Sequence, residues 1–171
     1  MKLDTILLNL GRFVLLFAIQ LMILNQVVLT NLIIPYIYVL FILMLPTGMN
    51  RIALLLISFF TGLCMDMLNS LIGFHTFACT LVALARILIG ARILMRDNEK
   101  TIERTSYRST SFQSYSIYSI FLLLIFYISL FCLELFSFHG IFYTITCILL
   151  STTASWLIMM LYQTLFIRKE H

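Results

Sequence analysis

Charged residues are scarce in this 171-residue chain, and their scarcity argues against a soluble fold. Asp, Glu, Lys and Arg make up 11% of the sequence, whereas roughly a quarter is usual in a soluble domain. Apolar residues make up 62%, and the mean hydropathy is +1.07. Six apolar stretches of about 20 residues each would place most of the chain in lipid, which leaves no room for a separate soluble domain. The sequence therefore predicts a membrane protein of one domain.

Motifs for catalysis and metal binding are also missing. The four cysteines lie singly in apolar stretches, without CxxC or other metal-ligand spacing, so we interpret them as packing residues. There is no HExxH motif and no nucleophile elbow around a serine. Four titratable groups do gather near the predicted outer surface: Asp66, His75, Glu134 and His139. Because the two carboxylates of this group, Asp66 and Glu134, do not lie one helical turn apart, we expect no catalytic residue, metal site or cofactor. A hydrolase that uses this acid–histidine group is the weaker alternative.

Positive charge is absent from every second connection between the apolar stretches. All eleven Lys and Arg residues fall on one side of the membrane when the chain is assigned six spans, over residues 13–30, 31–48, 51–68, 75–95, 115–136 and 140–167. Cytoplasmic loops keep Lys and Arg because positively charged segments resist translocation. We therefore predict an all-α polytopic membrane protein, a six-transmembrane-helix bundle with both termini in the cytoplasm. The net charge of +4 reflects this basic face, which suits anionic membrane lipids and does not indicate nucleic-acid binding.

The second predicted span is bracketed by two prolines. Pro35 suits the first turn of a helix, because its missing N–H would have no intrahelical partner there. Pro46 and Gly48 predict a stop and a turn. At about 1.5 Å per residue, residues 31–48 reach about 27 Å, which is just enough to cross. A re-entrant segment would move the basic loop over residues 96–114, with its Ser/Thr/Tyr-rich part 105–114, to the outside, so we favour a full crossing.

Spans three and four each carry a narrow face of small residues. On span three, residues four apart share one face, and these are Ser58, Gly62 and Asp66. On span four, a face with steps of three and four residues consists of Thr76, Cys79, Ala83, Arg86 and Gly90. A short turn makes the two spans antiparallel neighbours, and small residues permit close helix approach. We expect the spans to pack through these faces.

Three polar groups inside the predicted spans need partners. The Gln20 amide predicts a neighbouring helix or segment, because polar groups in lipid are satisfied by protein. Arg86 lies roughly 16 Å below the outer end of its helix, a depth at which a charge is expensive. We expect it to face protein rather than to snorkel to the cytoplasmic headgroups. Asp66 is too far from Arg86 for a direct pair, which leaves a backbone amide, His75 or another chain as its partner.

Several short motifs follow one another from about Asn25 to Leu94. Residues 35–46 run from Pro35 to Pro46, and residues 54–66 end in Gly62-Leu63-x-x-Asp66. Gly73-x-His75 and then Arg86 follow. In this order and spacing the motifs resemble the rod shape-determining protein MreD family, although Ile87 replaces the proline that usually follows the family's arginine.

The resemblance implies a non-enzymatic scaffold in the bacterial cell inner membrane. MreD-like proteins belong to the elongasome, the machinery of peptidoglycan synthesis that regulates cell shape. They bind the bitopic protein MreC and thereby couple MreB filaments to RodA and a class B penicillin-binding protein. The family's fold is similar to that of substrate-binding subunits of energy-coupling-factor vitamin transporters. For this chain, the residues expected to set partner-helix packing or register are Ser58, Gly62, Asp66, Gly73, His75, Ala83, Arg86 and Gly90.

The alternative function is that of a substrate-binding subunit of a small-solute transporter. Gln20, Asn25, Tyr36 and Glu134 could line a cavity near the outer leaflet. The Ala-x-x-x-Ala coupling pattern expected in the first helix of such subunits is missing, and for this reason we favour the scaffold.

Overall fold

A computed structural model describes residues 3–24, 33–46, 48–69, 73–90, 112–134 and 141–166. These residues are mostly helical and include no β-strand, as predicted for an all-α chain. The described residues form six α-helices: α1 (Leu3–Ile19), α2 (Val39–Met44), α3 (Arg51–Asn69), α4 (Phe74–Ala85), α5 (Phe112–Glu134) and α6 (Ile141–Phe166). Wider π-helical turns extend α1 over Gln20–Leu24 and α4 over Arg86–Gly90.

Among the described residues, three helices are long and apolar enough to cross a membrane. Their apolar stretches are Arg51–Asn69 in α3, Phe112–Leu133 in α5 and Phe142–Leu165 in α6, and shorter apolar helices cover Gly11–Met22 and Phe74–Leu88. Large apolar side chains cover the outer surface of the bundle; Phe60 on α3 is 57% exposed and Leu157 on α6 is 60% exposed. Extensive apolar surface of this kind marks contact with lipid or protein rather than with water. The chain thus has the character of a helical membrane protein.

Local sequence signals set the starts of α3 and α4. The Asn50 side-chain oxygen accepts a hydrogen bond from the Ile52 N–H at 3.1 Å, a common way to cap a helix N-terminus. Gly73 precedes α4 with φ of 79°, a left-handed conformation that glycine adopts without strain. α4 packs between α3 and α5, and α5 packs in turn against α6. The antiparallel pairing of α3 and α4 places Asp66, late in α3, beside the start of α4.

Residues 33–45, called the central segment below, lie in the middle of the bundle. Helix α2 occupies only Val39–Met44, and every residue from 37 to 45 is buried. The helix predicted over residues 31–48 is therefore much shorter, and the prediction that Pro35 lies in its first turn is wrong. Proline disfavours the helical conformation of the preceding residue, and the extended backbone here bonds to side chains from other helices. Non-helical backbone at membrane depth is tolerated where protein surrounds it in this way.

Helix α1 begins at Leu3, about ten residues before the predicted start of the first span, so Arg12 lies within the helix. Three parts of the sequence with predictions lie outside the described residues: Asn25, His139 and most of the basic loop (residues 96–111). The side chain of Glu134 is likewise not described. The predictions made for these residues remain predictions.

Candidate functional site

Hydroxyl groups of α5 and α6 bond to the extended half of the central segment. Tyr127 Oη donates to the Ile34 carbonyl at 2.8 Å and accepts from the Tyr36 N–H at 3.0 Å. Ser155 Oγ accepts from the same N–H at 3.0 Å and lies 2.5 Å from Tyr127 Oη. Ser151 Oγ accepts from the Ile34 N–H at 3.1 Å. Because a buried backbone group without a partner is costly, these hydroxyls take the place of the missing helical hydrogen bonds.

Gln20, in the π-helical turn that extends α1, holds the same extended stretch. Its Nε2 donates to the Pro35 carbonyl at 3.2 Å, and its Oε1 accepts from the Ile37 N–H at 2.8 Å. The side chain is 1% exposed, so both ends of a fully buried amide bond to protein backbone. The prediction that Gln20 faces a neighbouring segment is confirmed. Its amide serves the fold here, which weakens the suggestion that it lines a solute cavity.

Arg86 binds the opposite end of the central segment. Its two terminal guanidinium nitrogens donate to the carbonyls of Ile42 and Leu45, and Tyr118 Oη donates to the Leu43 carbonyl at 3.2 Å. The last carbonyls of a helix have no intrahelical partner, and a cation is favourable beside them. The planar guanidinium fork can reach two carbonyls at once. The prediction that Arg86 faces protein is confirmed, and the group it faces is the carboxyl end of α2.

Asp66 caps the N-terminus of α4. Its Oδ1 accepts from the His75 N–H at 2.9 Å, and its Oδ2 accepts from the Thr76 N–H at 2.8 Å and from the Thr76 hydroxyl at 2.5 Å. The first N–H groups of a helix lack intrahelical partners, and a negative charge is favourable at that end. Of the three partners considered for Asp66, the backbone amide is therefore the one found. This carboxylate fixes the register of α3 against α4.

Gly62 lies at a close contact between α3 and α4. A Cβ added at Gly62 would stand 2.5 Å from Thr76 Cα, 2.6 Å from the His75 carbonyl oxygen and 2.7 Å from the Thr76 nitrogen. These are backbone atoms, which cannot turn aside as the end of a side chain can. Only glycine fits, and the prediction that the two spans pack through their small-residue faces is confirmed here.

His75 connects α4 to the central segment. Its Nδ1 lies 2.8 Å from Tyr38 Oη, within hydrogen-bond distance, and both side chains are fully buried. The imidazole also lies in a cluster of aromatic rings, with its centroid 5.0 Å from that of Tyr36 and 6.3 Å from that of Phe126. The Cys79 thiol lies 3.8 Å from the same tyrosine oxygen. His75 thus joins three elements of the bundle: α4 directly, the central segment through Tyr38, and α5 through Phe126.

These contacts together form a clamp on the central segment, in which side chains of α1, α4, α5 and α6 bond to its backbone or pack against it. Within the part of the chain that the structure describes, no three His, Cys, Asp or Glu residues are grouped so as to hold a metal ion. The clamp supplies hydrogen-bond partners to the extended peptide and to the six-residue helix α2, and so holds both in the interior of the bundle.

Most residues proposed for partner-helix register are buried within the chain. The buried set is Ser58, Gly62, Asp66, His75, Ala83 and Arg86. Gly73 forms the start of α4, and Gly90 lies in the π-helical turn that ends it. The structure therefore brings Gly62, Asp66 and His75 together at the start of α4 and places Arg86 at the other end of that helix. Their effect on a partner helix stays a prediction.

Sequence reasoning did not identify Tyr127, Ser151 and Ser155 as parts of the clamp. A signal for them exists. Ser151 and Ser155 lie one helical turn apart in an apolar helix, and Tyr127 lies in the middle of another. Polar side chains inside spans usually bond across helices, so the pattern predicts a shared polar partner but does not say which one.

Comparison of the chain with protein-family models, with curated proteins and with solved structures gives no match. The resemblance to the MreD family rests on the sequence motifs alone.

Proposed function

We propose that this chain is a non-enzymatic scaffold of the bacterial inner membrane that docks the transmembrane helix of MreC. In this role it links MreB filaments in the cytoplasm to peptidoglycan synthesis by RodA and a class B penicillin-binding protein, and so contributes to cell shape. The proposal includes six membrane crossings with both termini in the cytoplasm, as the distribution of Lys and Arg predicts.

The observation that carries the proposal is the clamp on the central segment. A docking protein needs helix faces held at fixed positions, because a partner helix gains affinity from a surface that is already organised. Here side chains from both ends of the sequence, Gln20 in α1 and Ser155 in α6, bond to one buried segment. The polar groups of the clamp are thus used to hold the bundle together, as a scaffold requires.

The exposed surface of α3 supplies apolar area for helix packing. Its exposed side chains include Ile52, Leu56, Phe59, Phe60 and Met67. The rings of Phe59 and Phe60 stand edge to face with centroids 5.8 Å apart. Helices associate in lipid mainly through van der Waals packing, and large rings provide much contact area. Gly62 and Asp66 are buried and do not belong to this exposed face. They determine its direction, because they fix how α3 is oriented on α4.

The first test is purification of the chain from its native membrane in mild detergent, followed by mass spectrometry of the proteins that accompany it. MreC in stoichiometric yield is the expected result. Energising ATPase subunits or a retained small solute would instead favour the transporter alternative.

A second test asks which surface the partner touches. A photo-reactive amino acid is placed at Phe60 on α3 and, in a separate variant, at Leu157 on α6, two positions of nearly equal exposure. Docking predicts that one position cross-links to MreC far more strongly than the other. Cross-links to lipid alone at both positions, together with no MreC in the purified material, would refute the proposal.

A further inference from the structure

Helix α6 carries two neighbouring pairs of polar residues in its middle. Ser151 and Ser155 bond to the central segment. The next residue after each, Thr152 and Trp156, forms a second pair one helical turn apart. Thr152 is 3% exposed, and its Oγ1 and the Trp156 Nε1 are both buried without a hydrogen-bond partner among the described residues. The second pair is therefore a site where two donors lack an acceptor.

Other threonines of α6 have hydrogen-bond partners, so the unpartnered hydroxyl of Thr152 is not a general property of the helix. Thr146 donates to the Phe142 carbonyl at 2.9 Å, and Thr153 donates to the Leu149 carbonyl at 3.1 Å. A threonine in a helix can bond to its own backbone in this way when nothing else is near. Thr152 does not, although it is the direct neighbour of Thr153, so its hydroxyl is free to bind another group.

Thr152 and Trp156 are four residues apart and therefore share one face of α6. Because long side chains on a helix lean toward its N-terminus, we expect the Trp156 indole to lie over the turn that holds Thr152. The indole N–H can only donate, whereas the hydroxyl can donate and accept. One oxygen atom beside both groups would satisfy them together, and buried water molecules typically occupy such positions.

We propose that Thr152 and Trp156 together bind a small oxygen-bearing ligand that accepts a hydrogen bond from the indole. The shared chemistry is that of a water molecule or of a lipid ester oxygen. Thr152 lies roughly 16 Å along α6 from Ile141, which is near the middle of a span about 30 Å thick. Ester groups lie at the membrane surfaces, so the depth of the site favours water.

The test uses the fact that Trp156 is the only tryptophan of the chain. Ultraviolet resonance Raman spectra of the full chain in phospholipid nanodiscs contain one indole signal, whose N–H marker band reports whether the indole donates a hydrogen bond. We expect the band of a hydrogen-bonded indole in the wild-type protein. Thr152→Val, which keeps the side-chain shape and removes the hydroxyl, shifts the band toward the unbonded position. Thr153→Val, the matched control, leaves it unchanged.

Two results would overturn the proposal. One is a band of unbonded indole in the wild-type protein, which decides the matter even if the Thr152→Val variant fails to fold. The other is a folded Thr152→Val variant with an unchanged band. Nanodiscs of ether-linked lipid identify the source of the oxygen: an unchanged wild-type band supports water, and a shifted band supports the lipid ester.

Discussion

Gly62→Ala tests whether α3 and α4 approach as closely as the structure shows. The new methyl group would stand 2.5 Å from Thr76 Cα, whereas ordinary contacts begin near 3.4 Å. The helices would have to separate by about 1 Å. Overpacking of this kind costs about 1–3 kcal/mol. The same movement stretches the bonds from Asp66 to the start of α4, and hydrogen bonds to a charged group contribute about 1.5–3 kcal/mol. We expect Gly62→Ala to lower the free energy of unfolding by at least about 2 kcal/mol.

The assay is unfolding in mixed micelles by titration with SDS, followed by far-ultraviolet circular dichroism. Gly11→Ala is the matched control, because Gly11 also lies in a helix but a Cβ there meets nothing within 4 Å. Replacing this glycine should be neutral or stabilise the protein by about 0.5–1 kcal/mol. If Gly62→Ala were as stable as Gly11→Ala, the close contact of α3 with α4 would be wrong.

Three further substitutions test the clamp and the cap. Asp66→Asn turns one acceptor oxygen into a donor facing backbone N–H groups, and should lower the unfolding free energy by about 1.5–3 kcal/mol in the same titration; an unchanged midpoint would mean that Asp66 does not cap α4. Arg86→Lys replaces the guanidinium fork with a single ammonium group, so the carbonyl of Ile42 or of Leu45 loses its donor at a cost of about 1–3 kcal/mol. A lysine variant of wild-type stability would show that stability does not require one side chain to bind both carbonyls. Tyr127→Phe leaves the Ile34 carbonyl without a donor and leaves Ser155 as the remaining acceptor of the Tyr36 N–H, so hydrogen exchange of the Tyr36 amide should become faster; equal exchange rates would contradict the role of Tyr127 in the clamp.

The lengths of the apolar stretches and the spacing of small residues predict much of the fold. The third, fifth and sixth predicted helices correspond to α3, α5 and α6 within a few residues at their ends. The contact between α3 and α4 involves residues close in sequence, since Gly62 and Thr76 are joined by a short connection. Local patterns predict such contacts because a short connection limits how two helices can pair.

The central segment could not be predicted in the same way. Residues 35–46 form an apolar run, and such a run does not distinguish an extended segment from a buried helix. The residues that stabilise the extended form are distant from it in sequence. The Tyr36 N–H bonds to Ser155, which is 119 positions away, and the Ile34 N–H bonds to Ser151, which is 117 positions away. A single sequence indicates that such buried polar side chains need partners but not which distant residues these are, and the local preference of Pro35 therefore favours the start of a helix.

The buried positions of Asp66 and Arg86 change how a docking function must be tested. Both charges already bond to the chain's own backbone, Asp66 at the start of α4 and Arg86 at the end of α2. A substitution at either position would alter the bundle first, so a loss of MreC binding would not show that the residue touches MreC. An exposed residue separates the two effects. Phe60 is 57% exposed, and Phe60→Ala should leave the unfolding free energy nearly unchanged, because surface substitutions usually alter it by less than about 0.5 kcal/mol. Loss of MreC from a Phe60→Ala variant of wild-type stability would therefore place the partner helix on α3, whereas loss only from the destabilised core variants would mean that MreC requires the fold and binds elsewhere.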